Sequence, residues 1–457
     1  MLSNFEVPNL NLNLFPNVEH RPSILTVERM RHVLMICYDF PTIYAAGVIR
    51  TYQLAKNLPE FGWQPIILTA QECVNREDNV ETSDGTLRCP KITAAGSRFL
   101  IPSRSDQRPS RKSLEPQMPN GDRSLRGLIR FATRLALPDG KIGWLYPAVK
   151  RGLQIARLYP IQMCFSVSPR PTAHLVAYRL ARRLNVPWVA DFALPWSDAP
   201  WLADRPRFIR WLDQRVEGLV VRSAQHISVA YGDIARSISA RYGHSRVNKT
   251  AVIPTGFDDD LFSEPSASPA SKFTVVYPGN HFCEKGRDGE YFLKAIDEWI
   301  DFNPRLTEQV EFVFIGKPDD ALLRDCAVMR HPEVIRVKPL ISHRACIQAI
   351  RSSHLCVVNT VGNRIPAKVY ECMRAGKPTL ALTRPGSDLA MIIHRYSKGF
   401  AVPAKNTCAI RQALQNIWQL NRTGTVESIK IDESPSLYSA KHSAELLALV
   451  FDRLSQR

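Results

Sequence analysis

Short apolar runs alternate with amphipathic segments along most of the chain after residue 30. Such runs are typical of strands buried on both faces of a parallel sheet, and the longer segments with apolar positions three and four apart predict helices between them. The predicted strands are 31–38, 63–69, 163–167, 187–192, 226–229, 250–254, 273–279, 310–316, 334–339 and 355–359. The predicted helices include 45–58, 173–184, 291–299, 321–329, 343–352 and 439–454.

This alternation occurs in both halves of the chain and predicts an α/β protein with two doubly wound, Rossmann-like domains. A stretch rich in Ser, Pro and Ala at 263–271 has little to bury and predicts a linker. We therefore expect a flexible leader at 1–30, a first domain at 31–262, a second domain at 272–436 and a terminal helix at 437–457. Ligands in such folds bind beyond the carboxyl ends of the strands, so the two sheets would face a common cleft.

The segment 365–380 follows the predicted strand 355–359 and predicts a loop, a helix and a further strand. Pro366 suits the first helical position, and Gly376 ends the helix. Free N–H groups at the helix start and the charge of Lys368 would favour phosphate, while Glu371 could bind sugar hydroxyls. Lys368 and Glu371 are also spaced as an ordinary surface ion pair at i and i+3.

The net charge of +17 points to an anionic partner, which could be a small molecule, a membrane surface or a nucleic acid. Nucleic acid ranks last because no RNA-binding or helix-turn-helix motif accompanies the charge. Residues 101–134 carry eight basic against three acidic side chains, and 125–135 alternates basic and apolar positions. That pattern suits a helix on an anionic bilayer, although an ordinary amphipathic surface helix is favoured.

No apolar run is long enough to span a membrane, and the start of the chain lacks a signal pattern. We therefore expect a cytoplasmic protein, with peripheral association at the cytosolic face of the inner membrane as a further expectation.

The ten cysteines are scattered without zinc spacing, which predicts buried free thiols. Gly47 alone stands where a dinucleotide fingerprint would need three glycines, which argues against NAD or FAD.

Several motifs in order resemble the GT-B glycosyltransferases of family 4 type, in particular bacterial enzymes of exopolysaccharide and lipopolysaccharide assembly. The resemblance covers residues 31 to about 430 and rests on VLMICYDFPTIYAAGVIR, SVSPRPTAHLVAYRLARRLNVPWVADFALPW, VIPTGFD, YPG leading to KGRD, FIG and IPAKVYECMRAGKPTL. It implies retaining transfer of a hexose from a UDP- or GDP-linked sugar, with no metal. It also implies that the second domain binds this donor and the first holds a lipid-linked or polysaccharide acceptor.

The resemblance assigns roles to individual residues. Departure of a nucleoside diphosphate builds negative charge, so fixed cations are needed at the phosphates. Lys285 and Arg287 are the first choice for this role, although a solvated charged loop is the alternative. The other candidates are Lys368 at the phosphates, Glu371 at the ribose, Gly279 and Gly316 at strand ends, Gly47 near the acceptor and phosphates, and His174 at the donor sugar. Arg50, on the helix after Gly47, would point the same way or onto the surface.

The chain also departs from the family pattern. Asn363 stands where the family has the first of two acidic residues, and Thr255 replaces a usual Asn. Ala193 and Leu194 are apolar where close relatives tend to have Arg and Asp. These changes leave open a non-catalytic member that binds a sugar nucleotide or a partner transferase. An epimerase would need acid–base groups, for which His174 and Asp191 form a thin set, and a phosphorylase has no evident cofactor lysine.

Overall fold

The computed structural model describes residues 30–40, 46–70, 136–199, 202–243, 249–265, 268–283, 286–396, 399–425 and 435–456. The strands are β1 (Arg31–Ile36), β2 (Trp63–Leu68), β3 (Ile161–Val167), β4 (Trp188–Phe192), β5 (His226–Val229), β6 (Thr250–Val252), β7 (Phe273–Pro278), β8 (Val310–Ile315), β9 (Ile335–Lys338), β10 (Leu355–Asn359), β11 (Thr379–Leu382) and β12 (Phe400–Val402). The helices are α1 (Ala46–Asn57), α2 (Leu145–Leu158), α3 (Thr172–Leu184), α4 (Arg207–Ser223), α5 (Gly232–Tyr242), α6 (Glu290–Phe302), α7 (Leu306–Gln309), α8 (Asp320–Ala327), α9 (His343–Ser352), α10 (Lys368–Arg374), α11 (Asp388–Tyr396), α12 (Thr407–Arg422) and α13 (Ala440–Ser455).

The described strands form two six-stranded sheets, ordered β2-β1-β3-β4-β5-β6 and β12-β11-β10-β7-β8-β9. Neighbouring strands are parallel in both sheets. Parallel strands need crossover helices that cover both faces, which explains why their sequences are nearly continuous apolar runs. The predicted α/β fold with two doubly wound sheets is confirmed.

Helices cover the two faces of the first sheet unequally. Helices α2, α3, α4 and α5 share one apolar cluster on one face, which includes Val149, Val176, Val220 and Ile234. Helices α1 and α13 share another cluster, which includes Leu54 and Leu447. The first sheet is therefore a buried middle layer between two helical layers.

The terminal helix α13 packs on the first sheet although it follows the second sheet in the chain. The ring of Phe451 lies edge-on to Trp63 at 5.1 Å and to Phe165 at 5.7 Å between centroids. The Nε1–H of Trp63 donates to Asp452 at 2.8 Å. The last helix thus completes the apolar packing of the first sheet, while the exact domain limits 31–262 and 272–436 stay a prediction.

The chain crosses between the two sheets twice, and the two crossings are hydrogen-bonded to each other. The Phe257 N–H donates to the Tyr438 carbonyl at 2.9 Å, and the Ala440 N–H donates to the Phe257 carbonyl at 2.7 Å. Gly256 has φ +75°, and a Cβ there would lie 2.8 Å from the Tyr438 carbonyl oxygen. Only glycine fits this close approach, so the glycine after Thr255 serves the paired crossings.

Some local predictions differ from the structure. Helices α2, α4, α11 and α12 were not predicted. Helix α10 begins at Lys368 with Ala367 as its N-cap, so Pro366 lies before the cap instead of at the first helical position. The Val369 N–H donates to the Pro366 carbonyl at 3.1 Å, which shows that a tighter turn precedes the helix. Residues 1–29 of the leader predicted at 1–30, and the whole of the basic segment 101–134, lie outside the described residues.

Two predictions from composition can be compared with the described residues. All eight cysteines among them are free, and five are buried, but Cys283 and Cys326 are half-buried and Cys408 is exposed. In the part of the chain that the structure describes, no helix is both long and apolar enough to cross a membrane.

Candidate active site

The strand order of the second sheet reverses between β7 and β10. In doubly wound sheets, ligands bind beyond the carboxyl ends of the strands at such a reversal. The loop after β7 and the loop after β10 meet at this edge, where the Asn359 Nδ2–H donates to the Phe282 carbonyl at 2.9 Å. The Oδ1 atom of Asn359 is buried without a hydrogen-bond partner. The fold thus joins two loops into one candidate site.

Gly279 and Gly316 shape the base of this site. The Gly279 N–H donates to the Ile315 carbonyl at 2.9 Å, which keeps β7 and β8 paired at their ends. Gly316 has φ +142°, and a Cβ there would lie 2.6 Å from the Gly279 carbonyl oxygen and 2.7 Å from the Asn280 side chain. The structure therefore requires glycine at 316 for backbone packing, and nucleotide contact by either glycine stays a prediction.

Arg287 folds back onto the loop that carries it. Its guanidinium donates to the carbonyls of Asn280, at 2.9 Å, and of His281. Its Nε is buried without a hydrogen-bond partner. Arg287 is therefore held in place by the loop while part of its donor set stays unused, as a preorganised anion site requires. Lys285, the other first choice, lies outside the described residues.

Arg364 lies close to Arg287 and was not predicted as a site residue. Burial lowers the pKa of Arg364, the nearby phenol of Tyr231 acts to raise it, and the positive charge of Arg287 lowers it further. An anion placed beside both arginines would stabilise the charge of Arg364 against this effect. The sequence did hold a signal, since a cation follows Gly362 and Asn363 shortly after a buried strand end.

The first domain contacts the second beside this site, through Tyr231 of the first domain and Asp388 of the second. Tyr231 lies between β5 and α5, and its hydroxyl is buried without a hydrogen-bond partner. The Asp233 N–H at the start of α5 donates to Asp388 at 2.6 Å, and Arg236 also pairs with Asp388. The two domains therefore touch across the cleft beside Arg364.

Lys368 and Glu371 form the predicted i, i+3 pair, but Glu371 is buried. Lys368 Nζ lies 2.8 Å from Oε2 of Glu371, and His343 Nε2 lies 2.7 Å from Oε1. Burial alone would raise the pKa of Glu371, but Lys368 and His343 outweigh it and lower the pKa to about 2. The carboxylate is thus charged and held on both oxygens, and ribose binding by Glu371 stays a prediction.

His174 lies in the core of the first domain at the start of α3. Its Nδ1 is 2.8 Å from the hydroxyl of Ser166, which also accepts from Trp188 Nε1 at 2.8 Å. The Nε2 of His174 is buried without a hydrogen-bond partner, and burial lowers the pKa of His174 to about 4. His174 is therefore neutral near pH 7, with one ring nitrogen unused.

The side chain of Arg50 lies inside the fold and reaches neither the loop that carries Arg287 nor the surface. Its guanidinium is 1% exposed and binds Asp191 through two hydrogen bonds of 2.9 and 2.7 Å. It also donates to the carbonyls of Ile253 and Pro254. The expectation that Arg50 points to the phosphates or the surface is wrong, because its charge is used inside the fold. Asp191 is thereby paired in the core, where its negative charge also acts to raise the pKa of His174 against the larger effect of burial.

The remaining candidates lie around the rims of the two sheets. Gly47 is the second residue of α1. Asn363 is half-buried in the turn that follows Gly362, whose φ is +62°. Ala193 is buried in the apolar cluster of α1 and α13, and Leu194 donates its N–H to Ser168 Oγ at 3.5 Å. The described residues contain no group of three His, Cys, Asp or Glu side chains suited to a metal.

A family model described as "Glycosyl transferases group 1" matches residues 272–419, and one described as "Glycosyl transferase 4-like domain" matches residues 47–256. The chain belongs to the GT-B glycosyltransferases of this group. Arg287 and Arg364 of this glycosyltransferase lie in the first match, and His174 lies in the second. A search of curated proteins finds no match.

Solved structures share the fold of this glycosyltransferase at low identity. Sucrose-phosphate synthase from Thermosynechococcus elongatus aligns with TM-score 0.62 and 14% identity, over 93% of this chain and 99% of that one. A glycosyltransferase from Rickettsia africae aligns with TM-score 0.57 and 13% identity, over 93% and 99%. MnaA of S. aureus in a structure with UDP aligns with TM-score 0.52 and 12% identity, over 92% and 95%.

Proposed function

We propose that this glycosyltransferase moves a hexose, with retention, from a nucleotide diphosphate sugar to a lipid-linked or polysaccharide acceptor of bacterial cell-surface glycan synthesis. One observation carries the donor proposal: Arg287, held by the carbonyls of Asn280 and His281, lies at the strand reversal of the second sheet. Its positive charge there disfavours the charge of the neighbouring Arg364. A diphosphate between them would relieve this repulsion. MnaA, which shares the fold, has been solved with UDP.

The arrangement suits departure of a nucleoside diphosphate. As the bond between the sugar and the β-phosphate breaks, the electron pair stays on the phosphate oxygen, and the guanidinium groups stabilise that charge. Arg287 is already fixed by the carbonyls of Asn280 and His281, so little reorganisation is needed. The unused Nε2 of His174 would form a hydrogen bond with a hydroxyl of the donor sugar. As the bond from sugar to phosphate breaks, the acceptor hydroxyl oxygen would bond to the anomeric carbon and its proton would pass to the departing phosphate oxygen, so no separate general base is needed.

The acceptor side of the proposal rests on the edge of the first sheet. The order of its described strands reverses between β1 and β3. A small open pocket lies there, lined by the polar residues Tyr38, Asp39, Thr51, Ser168 and Arg170 and by apolar residues such as Val48 and Val167. Arg170 and Asp39 are paired at 3.1 Å, so hydroxyl, cationic and anionic groups border the pocket. These polar groups would hydrogen-bond the hydroxyl groups of a sugar acceptor.

Thermal melting against UDP, GDP and their sugars tests donor binding first. A ligand at 100 times its dissociation constant stabilises the folded protein by about 2.7 kcal/mol. We expect one nucleotide family to raise the melting temperature and to be consumed in a donor hydrolysis assay. If no nucleotide shifts a well-folded sample, the proposed donor class is wrong.

Substitution of each arginine then tests its role. Arg287→Gln and Arg364→Gln should each lower turnover of the donor found by about 10²-fold, because each removes a fixed cation from the leaving group. Arg324→Gln, at an exposed position of α8, is the matched control and should leave turnover unchanged. Wild-type turnover in either site variant would contradict its assignment. NMR of the product linkage reports retention or inversion directly.

A further inference from the structure

Helix α4 exposes an unusual set of side chains. Phe208, Trp211 and Leu219 are exposed to 59%, 53% and 38% and share one face of the helix, at spacings of three and eight residues. Large apolar side chains of this kind normally face the core of a surface helix. Here Ile209, Val220 and Val221 already fill that role on the opposite face. The exposed apolar stripe is therefore additional to the packing of the fold.

The charges on α4 are segregated by sign. Four arginines are exposed on the helix: Arg207, Arg210, Arg215 and Arg222. Its two acids, Asp213 and Glu217, are 1% and 2% exposed and face inward. Asp213 pairs with Arg205 at 2.5 Å, and Glu217 accepts from Arg241 at 3.0 Å and from the Tyr242 hydroxyl at 2.7 Å. The exposed charged side chains of α4 are thus all basic and lie beside exposed apolar ones, unlike the mixed charges of an ordinary surface helix.

The same pattern continues across the neighbouring helices. Helices α2, α3 and α4 lie on one face of the first sheet and share one apolar cluster. Helix α3 exposes Arg179, Arg182 and Arg183, and the sequences of α2 and α3 contain no acidic residue. Helix α2 exposes Tyr146 and Leu158, each to 75%. We call the outer surface of these three helices the basic face.

We propose that the basic face binds an anionic lipid membrane surface. Arginines with interspersed Trp, Phe and Leu are the signature of helices that lie in the headgroup region, where cations meet lipid phosphates and apolar side chains enter the acyl boundary. Helix α4 follows β4, so its first residues lie at the carboxyl edge of the first sheet, the edge of the cleft. Phe208 and Trp211 stand in the first two turns. Docking would therefore hold the cleft beside the membrane.

The proposal goes beyond the proposed sugar transfer and can be tested without any substrate. The full-length protein is sedimented with vesicles of phosphatidylcholine alone or with 30% phosphatidylglycerol at physiological salt. We expect binding only to the anionic vesicles. Replacing the four exposed arginines of α4 by Gln should weaken that binding at least tenfold, since each contributes about fivefold near an anionic surface. Phe208→Ser with Trp211→Ser should also weaken it, although the net charge is unchanged.

Matched controls are available in the second domain. Lys294, Arg305, Arg324 and Arg422 are exposed and basic, and Phe302 is 75% exposed. Their Gln and Ser variants should bind anionic vesicles as the wild type does. Equal loss in these controls, or absence of wild-type binding to anionic vesicles, would overturn the proposal. Binding of RNA by the same arginines without vesicle binding would also overturn it. If nucleotides still raise the melting temperature of the α4 variants, donor binding is intact in them. Failure of the membrane proposal is then distinguished from failure of the proposed reaction.

Discussion

The buried pair of Arg50 and Asp191 offers a sharp test of how the first domain is held together. Asp191 is fully buried and accepts two hydrogen bonds from Arg50 and one of 2.6 Å from the Ser228 hydroxyl. Asp191→Asn keeps the shape of the side chain but removes its charge. The guanidinium of Arg50 then stays buried without a negative partner, with the carbonyls of Ile253 and Pro254 and at most one amide oxygen of Asn as acceptors.

Breaking a buried pair in this way costs about 3–5 kcal/mol, because the remaining charge is uncompensated. For a unit of roughly 200 residues, about 1 kcal/mol lowers the melting temperature by roughly 2–4 °C. We therefore expect Asp191→Asn to melt about 6–20 °C below the wild type. The combined variant Arg50→Met with Asp191→Leu should recover part of that loss, because it removes both charges.

The control for this prediction is an exposed pair in the same part of the molecule. Glu60 and Lys441 lie 2.7 Å apart with side chains 52% and 61% exposed. Glu60→Gln should change the free energy of unfolding by less than about 1 kcal/mol, since exposed pairs contribute little. The reasoning is refuted if Asp191→Asn unfolds in urea with the same free energy as Glu60→Gln.

Three further predictions concern the cleft. Glu371→Gln should destabilise the second domain above about pH 5, because the surroundings that lower the pKa of Glu371 stabilise only its charged form. The difference from the wild type should shrink as the pH falls towards 2. Urea unfolding at pH 7 and pH 3 measures this change. His174→Gln, which keeps an N–H donor, should retain more kcat/KM than His174→Phe, and neither variant should gain a new pH dependence between pH 6 and 8, because His174 is neutral there. Gly316→Ala should lower the melting temperature and donor affinity, whereas Gly140→Ala, with no atom within 4 Å of the added Cβ, should alter neither.

The sequence predicted the strands well because a strand in a parallel sheet is buried on both faces and leaves a continuous apolar run. It failed at α4, where exposed Phe208, Trp211 and Leu219 and buried Asp213 and Glu217 invert the usual relation between polarity and burial. It also misplaced the start of α10, because the residues from Pro366 form a tighter turn before the helix begins. Each failure occurs where local contacts override the average pattern.

The candidate site shows the same limit. Arg287 could be chosen from its motif, but Arg364 could not, because its importance depends on Arg287 and on Tyr231 of the other domain. Arg50 was misinterpreted since its partner Asp191 lies 141 positions away along the chain. Glu371 was expected to be open to a ribose, and His343, from another helix, holds one of its oxygens. Sequence spacing finds residues of one loop or helix, whereas these roles depend on contacts between elements.

The paired crossings at Phe257 and Tyr438 affect how this enzyme can open. A single connection would let the domains twist and slide as well as hinge. Two connections that are hydrogen-bonded to each other at Phe257, Tyr438 and Ala440 restrain twisting and sliding, and leave rotation about one axis near this pair as the easy motion. Rotation about that axis would separate Tyr231 from Arg364 and at the same time release Asp388 from the start of α5. Donor entry and product release would then both depend on this one hinge rotation.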